Sequence, residues 1–400
     1  MSSSDVSATP AIALVTAPHG FAAAVFALAI GGFAIGTAEF AAMGILPQVA
    51  HDLGITVPSA GTMISAYALG VVVGAPLITV SCANVPRRFL LILLMVVYAV
   101  SNGASAVLHG YASIVASRFI AGLPHGAYFG LAALAAASLV PPNKKGTAIS
   151  RVMLGLSVAN VVGVPLATWL GITFGWRACF AVVAMIAAVS ATMIRVTVPS
   201  VPLSKRASPL TELGALRKPV VIATLLAGSV GFGGLFCVYS YVAGTLTHVT
   251  HLPDLYVPWA LSVIGVGMLV GNAVIGRFAD RWLQGTMLGM YASTAVILFL
   301  FSWLASYAVA VFFLLFCVGV GAAVTVCFQS RLMDIAGDAQ SLAAALNHSA
   351  FNIANALGAW IGGVAISAGF GWASTGWVGG ILSLLGVLVL MLSFRLEPHR

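Results

Sequence analysis

Twelve apolar stretches follow one another along this 400-residue chain. Each is near the roughly 20 residues that a helix needs to cross a bilayer. They run at about 21–45, 59–81, 89–108, 113–140, 147–169, 177–196, 220–246, 257–278, 285–303, 307–329, 342–366 and 375–394, separated by short polar or Pro/Gly clusters. Strands of a membrane barrel would alternate over about ten residues, and these runs are continuous. With 61% hydrophobic and 6% charged residues the chain has too little polar surface to dissolve as a monomer. The expected fold is an all-α membrane protein of twelve transmembrane helices, acting as a monomer within the lipid bilayer.

A formal net charge of +8 would suit nucleic acid if it were gathered on one face. It is sorted by connection instead. Arg87, Arg88, Lys144, Lys145, Arg151, Arg195, Lys205, Arg206, Arg217, Lys218, Arg277, Arg281, Arg331, Arg395 and Arg400 fall after even-numbered stretches or in the tail. Of 17 basic residues only Arg118 and Arg177 fall elsewhere. Membrane proteins keep Lys and Arg on the cytoplasmic side, so both termini are expected there and no nucleic-acid partner is expected.

The first 20 residues hold no Lys or Arg, and the stretch that follows is too long for a cleaved signal, so the first span is expected to stay. Cys82, Cys179, Cys237, Cys317 and Cys327 lack C-x-x-C or metal-ligand spacing and read as small core residues. The sequence has no G-x-x-x-x-G-K-[ST] phosphate loop and no His/Cys metal cluster. No metal or cofactor is expected. The polar segments are too short for a catalytic domain, so an enzyme is not expected either.

Residues 199–219 (PSVPLSKRASPLTELGALRKP) gather four prolines, four basic residues and one Glu, and divide six stretches from six more. The expected organisation is a tail at 1–20, a six-helix half at 21–198, a linker at 199–219, a second half at 220–394 and a tail at 395–400. Duplicated six-plus-six carriers bind substrate near the bilayer midplane, between the halves. After the eighth stretch the chain reads Gly276-Arg277-Phe278-Ala279-Asp280-Arg281-Trp282, and after the second Cys82-Ala83-Asn84-Val85-Pro86-Arg87-Arg88. The first of these resembles the cytoplasmic gating-loop motif of the major facilitator superfamily. The other copy has Ala83 and Asn84 where the family has Asp-Arg, and keeps Arg87 and Arg88. Topology alone also accounts for these charges.

Two more segments narrow the resemblance. Arg118-Phe-Ile-Ala-Gly122-Leu-Pro-His125-Gly126 is similar to the Arg-x-x-x-Gly-x-x-x-Gly pattern in the fourth span of that superfamily's drug:H⁺ antiporters. Gly155-Leu-Ser-Val-Ala-Asn160-Val-Val-Gly163-Val-Pro165, running on to Gly171, resembles their fifth-span antiporter motif, although Val164 splits the Gly-Pro pair. With Gly36-Thr-Ala-Glu39 in the first span, the chain resembles bacterial arabinose-efflux and chloramphenicol-efflux permeases over its whole length. That resemblance implies a multi-pass protein of the bacterial inner membrane.

The residues carry a reading of their own. Gly122 and Gly126 allow close helix approach. Gly155, Gly163 and Gly171 recur every eight residues near one face, and Pro165 removes a backbone hydrogen bond. Such a helix suits the rocking of one bundle on another, and static packing explains the same residues. Glu39 and Arg118 are the charges set well inside long apolar stretches, and a charge there costs several kcal/mol unless paired or wetted. Arg118 holds its proton and can serve only as a fixed counter-ion. Glu39 can titrate: burial opposes its ionisation and a cation favours it, so it can exchange a proton as a cavity opens and closes. Both lie at similar depth, so they can pair if the first and fourth helices are neighbours. His125, two turns from Arg118, reads either as part of this proton site or as a packed polar residue.

The second half offers neutral groups: Tyr239 and Tyr241, Asn272, Gln329, and Asn347, His348, Asn352 and Asn355. His348, Asn352 and Asn355 share a helix face. They read either as glue between helices or as the lining of a substrate cavity. The expected function is export of a small organic, drug-like or amphipathic compound in exchange for protons, with sugar or metabolite efflux as the alternative. A non-transporting membrane protein such as a receptor is disfavoured, because it would have no use for a duplicated loop motif.

Overall fold

A lipid-embedded backbone must satisfy its own hydrogen bonds, so apolar runs of this length become helices. The computed structural model describes residues 18–82, 85–140, 145–200, 218–336 and 340–397. Most of the linker (201–217), the first 17 residues, Ala83, Asn84 and Lys144 lie outside the described residues. Twelve helices are long and apolar enough to span: Gly20–Gly44, Val57–Ile78, Arg87–Val107, Tyr111–Ser138, Arg151–Phe174, Trp176–Thr197, Pro219–Ser240, Asp254–Ile275, Arg281–Leu304, Ala308–Ala336, Leu346–Phe370 and Ser374–Arg395. These are called spans one to twelve below. Each coincides with one expected stretch.

Two connections differ from expectation. Gly276–Arg281 was expected to be a loop, but its backbone continues the helix of span eight, and the break falls at Trp282 (φ −156°, ψ 80°). Arg331 was expected in a connection, yet it lies inside span ten and is buried. Its guanidinium donates to the Glu397 carboxylate at 3.2 Å and to the Ser393 hydroxyl at 3.2 Å, and it covers the Phe394 ring. A carboxylate from the far C-terminus offsets the charge, and a pattern read along the chain cannot anticipate that.

The two sets of six spans repeat one packing scheme. Span one packs on spans five and six, and span seven on spans eleven and twelve. Span three packs on span six, and span nine on span twelve. Where spans two and four cross, a Cβ at Gly70, Gly74 or Gly122 would overlap a backbone carbonyl of the partner helix. Gly267, Gly271 and Gly319 occupy the same crossing between spans eight and ten, at one constant separation from their counterparts. Duplication thus survives in steric positions even where the loop motif has diverged.

Span five is interrupted by a π-helical turn, Ala159–Gly163, just before Pro165. Its three glycines face span one: Gly155 against the Ala29 carbonyl, Gly163 against Thr37 and Phe33, and Gly171 against Ile45. The glycine stripe therefore joins helices of the same half. Gly155 abuts backbone, which cannot turn aside, whereas Gly163 abuts side chains that can. Gly155→Ala should therefore lower the thermal unfolding midpoint in detergent more than Gly163→Ala, and a loss of about 1–3 kcal/mol is the usual cost of such overpacking. Gly163→Leu should cut transport more than protein accumulation; normal transport by that variant would make the stripe mere packing.

The halves meet along two seams, spans two with eleven and five with eight. They are joined most firmly at the end away from the linker, here called the far end. There Gln48 donates to Asp254 at 3.1 Å, Tyr241, anchored to the Ala359 carbonyl of its own half at 2.6 Å, fills the space over Gly61, and Gly44 abuts Leu261. The short helix Leu46–Leu53 is tied to span six through Asp52, which accepts from Arg177 and from Trp176 Nε1. The Arg177 hydrogen bond, and then that of Trp176, hold the Asp52 carboxyl below its ordinary range. Phe26, Phe33 and Phe40 lie on one face of span one. Phe40 is buried against Phe236 and Tyr239 of the second half, while Phe26 is 60% exposed. Toward the linker end the hydrogen bonds and ring contacts between the halves, among the described residues, stop at Phe129 and His348.

Candidate functional site

Where the apolar fill of the first half gives way, side chains of spans one to four and eleven assemble a buried polar cluster. Glu39 is 6% exposed and Arg118 is 1% exposed. They form no direct ion pair. The Arg118 guanidinium instead donates to Asn102 Oδ1 at 3.0 Å and to the Ala38 carbonyl at 3.2 Å. It lies over the Tyr67 and Phe180 rings, 4.5 and 4.8 Å from their centroids. Asn102 in turn donates to the Tyr98 carbonyl at 2.8 Å. A planar guanidinium fits this sandwich, where its charge meets ring faces and its fork meets two acceptors.

Gly122 lies between Arg118 and His125 on span four and admits the backbone of span two at Tyr67. Tyr67 can therefore bridge the two. Its ring underlies Arg118, and its hydroxyl is hydrogen-bonded to His125 Nδ1 at 3.0 Å and to the Tyr98 hydroxyl at 3.2 Å. Tyr98 also donates to the Ile35 carbonyl at 3.3 Å. His125 Nδ1 lies 4.0 Å from Glu39 Oε2, outside direct hydrogen bonding. Asn355 of span eleven approaches the Glu39 carboxylate, although neither amide atom reaches hydrogen-bonding geometry. The result is a carboxylate sealed from solvent, in the field of a fixed cation that it does not touch, beside an imidazole already engaged by a phenol. Such a carboxylate can take up and release a proton without breaking an ion pair.

The remaining candidates divide. Tyr239 stacks on Phe40 at 5.4 Å, next to the Glu39 cluster. His348, Asn352 and Asn355 do share the inner face of span eleven; Asn352 donates to the His348 carbonyl at 3.0 Å, leaving its own oxygen unpartnered. Asn347 donates to Gln329 at 2.7 Å. Tyr241 belongs to the far-end closure, and Asn272 is exposed on span eight, where no described contact joins it to the cluster. Arg87 and Arg88 begin span three, and Arg88 donates to the Arg195 carbonyl within its own half. Arg281 is exposed beside the break at Trp282, and Gly276, Arg277 and Asp280 lie in helical backbone before it.

Sequence reasoning missed Tyr67, Tyr98 and Asn102, and also Phe129, whose ring packs edge-on against His125 with centroids 5.4 Å apart. Tyr98 and Asn102 carried a weak signal, since they share one helix face of an otherwise apolar span. Tyr67 and Phe129 carried none.

The family model described as Major Facilitator Superfamily matches residues 28–337 and 238–400. The chain belongs to the major facilitator superfamily. The inner membrane transport protein YdhP of Escherichia coli (strain K12) is 39% identical over 375 residues, covering 93% of this chain and 96% of the relative. The chloramphenicol resistance protein of Streptomyces lividans is 31% identical, covering 91% of this chain and 94% of the relative. Among solved structures, a D-xylose-proton symporter superposes with a TM-score of 0.73 at 19% identity, over 94% of this chain and 98% of the other. The loop and helix motifs pointed to this superfamily, and it is one of membrane transporters rather than enzymes.

Proposed function

We propose that this superfamily member is a proton-coupled exporter of the bacterial inner membrane, which exchanges inward proton flow for outward movement of a small organic compound. One observation carries the reading: Glu39 is a buried carboxylate set between the halves, in the field of Arg118 and free of a direct ion pair. A charge is kept in such a place for a use that repays its cost. Resemblance to a chloramphenicol resistance protein favours a drug-like or amphipathic solute. The two six-helix halves, 21–198 and 220–394, would rock about the site, with Gly155, Gly163 and Pro165 shaping span five and the helix ends at Arg87, Arg88 and Gly276–Arg281 acting as gates.

In the arrangement described, the far ends are joined and, toward the linker end, the joints among the described residues stop at Phe129 and His348, so solute enters from the linker side. Its binding near Glu39 and Tyr239 displaces the proton; after the halves rock, solute leaves at the far end and Glu39 is reloaded. A second reading, efflux of a sugar or other polyhydroxyl metabolite, is favoured by the unpartnered amide atoms of Asn352 and Asn355. Buried amides without partners need a hydrogen-bonding guest or water. Chloramphenicol and a sugar panel, tested in cells stripped of their own efflux pumps, separate the two readings. Failure of an imposed pH gradient to drive export of either in vesicles would overturn both.

Orientation is tested separately. The distribution of basic residues puts the linker in the cytoplasm. Cysteines introduced at Lys144 and Ser208 should react with impermeant reagents only from the cytoplasmic side, and one at Asp254 only from outside. External labelling at Ser208 would invert the map.

A further inference from the structure

We propose that Phe129 is the seal that shuts the Glu39 site off from water at the linker end, an inference that rests on Glu39 as the proton-exchanging group. Phe129 sits one turn beyond His125 on span four and is fully buried. Its ring meets the His125 imidazole edge-on, with centroids 5.4 Å apart. On its other side lies His348, at the linker-end start of span eleven, with the rings parallel within 5° and 6.0 Å apart. One imidazole faces Glu39 and the other is half-buried at the start of span eleven. A single benzene ring separates them.

Three observations make this ring a barrier rather than ordinary filling. Among the hydrogen bonds and ring contacts of the described residues, the Phe129–His348 pair is the joint between the halves nearest the linker end. On the inner side the polar chain is continuous from His125 through the Tyr67 and Tyr98 hydroxyls. The ring is also backed without a gap: a Cβ at Gly32 of span one would come within 3.1 Å of Phe129 Cε1, and Tyr128 meets the ring at 6.0 Å. A benzene ring offers neither donor nor acceptor, and apolar constrictions exclude water, which is the carrier a proton needs.

The joint spans both halves, so it opens only when they move. Further separation of the linker ends, beyond that in the arrangement described, draws His348 off Phe129 and admits water and solute to His125 and Glu39; closure dries the site again. Phe129 thereby acts as a positioning residue that makes proton release depend on the movement that carries solute, and this dependence is what coupling requires.

The test uses the purified full chain in proteoliposomes with entrapped pyranine, a pH step, valinomycin to clamp the potential, and no solute. Wild type should leak slowly. Phe129→Ala should leak severalfold faster, and Phe129→Leu should remain near wild type because leucine refills the space. Adding Glu39→Gln to Phe129→Ala should return the leak to the wild-type rate, a dependence that loosened packing would not produce. A folded Phe129→Ala protein that leaks no faster than wild type overturns the seal. A leak that survives Glu39→Gln is loosened packing and overturns the seal, whereas the carrier role of Glu39 is read from solute-driven proton exchange by Glu39→Gln alone, so the two ideas fail separately. Should Phe129→Ala not fold, Phe129→Val must leak more than Phe129→Leu, and equal rates would overturn the proposal.

Discussion

Glu39→Gln should abolish export driven by a pH gradient while leaving solute binding in place. The amide keeps the shape and hydrogen-bonding capacity of the carboxyl, so the walls formed by His125, Asn355 and Tyr239 are preserved. What disappears is the ability to change charge. On the proposed mechanism the buried Arg118 would be alternately compensated and uncompensated as Glu39 loses and gains its proton, and that alternation would give the two halves different energies in different states. With glutamine the cation is uncompensated throughout. The variant should also cease to move protons in solute-driven exchange, read with an interior pH dye in proteoliposomes. Solute-dependent proton movement by Glu39→Gln at the wild-type rate would place the carrier elsewhere.

Much of this was legible in the sequence, because a membrane imposes strong rules. The twelve spans follow from run length, since the backbone in lipid has no alternative to the helix. Glu39, Arg118 and His125 stood out because polar groups are costly in apolar runs. The way they connect was not legible. Depth along two helices brought Glu39 and Arg118 to the same level, yet depth says nothing of rotation, and rotation turns the guanidinium toward Asn102 and the Ala38 carbonyl. Tyr67 and Phe129 became visible only once spans two, four and eleven were set side by side, since tyrosine and phenylalanine are ordinary residues of an apolar helix. Arg331 misled for a related reason: its partner Glu397 is distant in sequence and sits in a tail, so the arginine read as the edge of a loop. The fifth-span glycines were open to two readings, a rocking helix or static packing, and which helix they approach is a matter of three-dimensional arrangement.

Replacement of Arg118 should separate its charge from its shape. Arg118→Gln leaves the Glu39 carboxylate buried with no cation in its field. It also takes the guanidinium from Asn102 Oδ1 and the Ala38 carbonyl, and a buried acceptor left unsatisfied costs about 1–3 kcal/mol, so the amount of folded protein recovered in detergent should fall. Arg118→Lys keeps the charge and should recover most of that folded protein. Its compact ammonium cannot at once lie between the Tyr67 and Phe180 rings and reach both Asn102 and the Ala38 carbonyl, so transport should still drop. The double change Glu39→Gln with Arg118→Gln removes both buried charges together, and non-additive recovery of folded protein would measure their coupling across the gap that separates them. Folding should return in the double variant while pH-gradient-driven export stays absent, because no titratable carboxyl remains at the site. Export restored along with folding would mean that the two charges only hold the helices together, and the proton would have to travel by another residue.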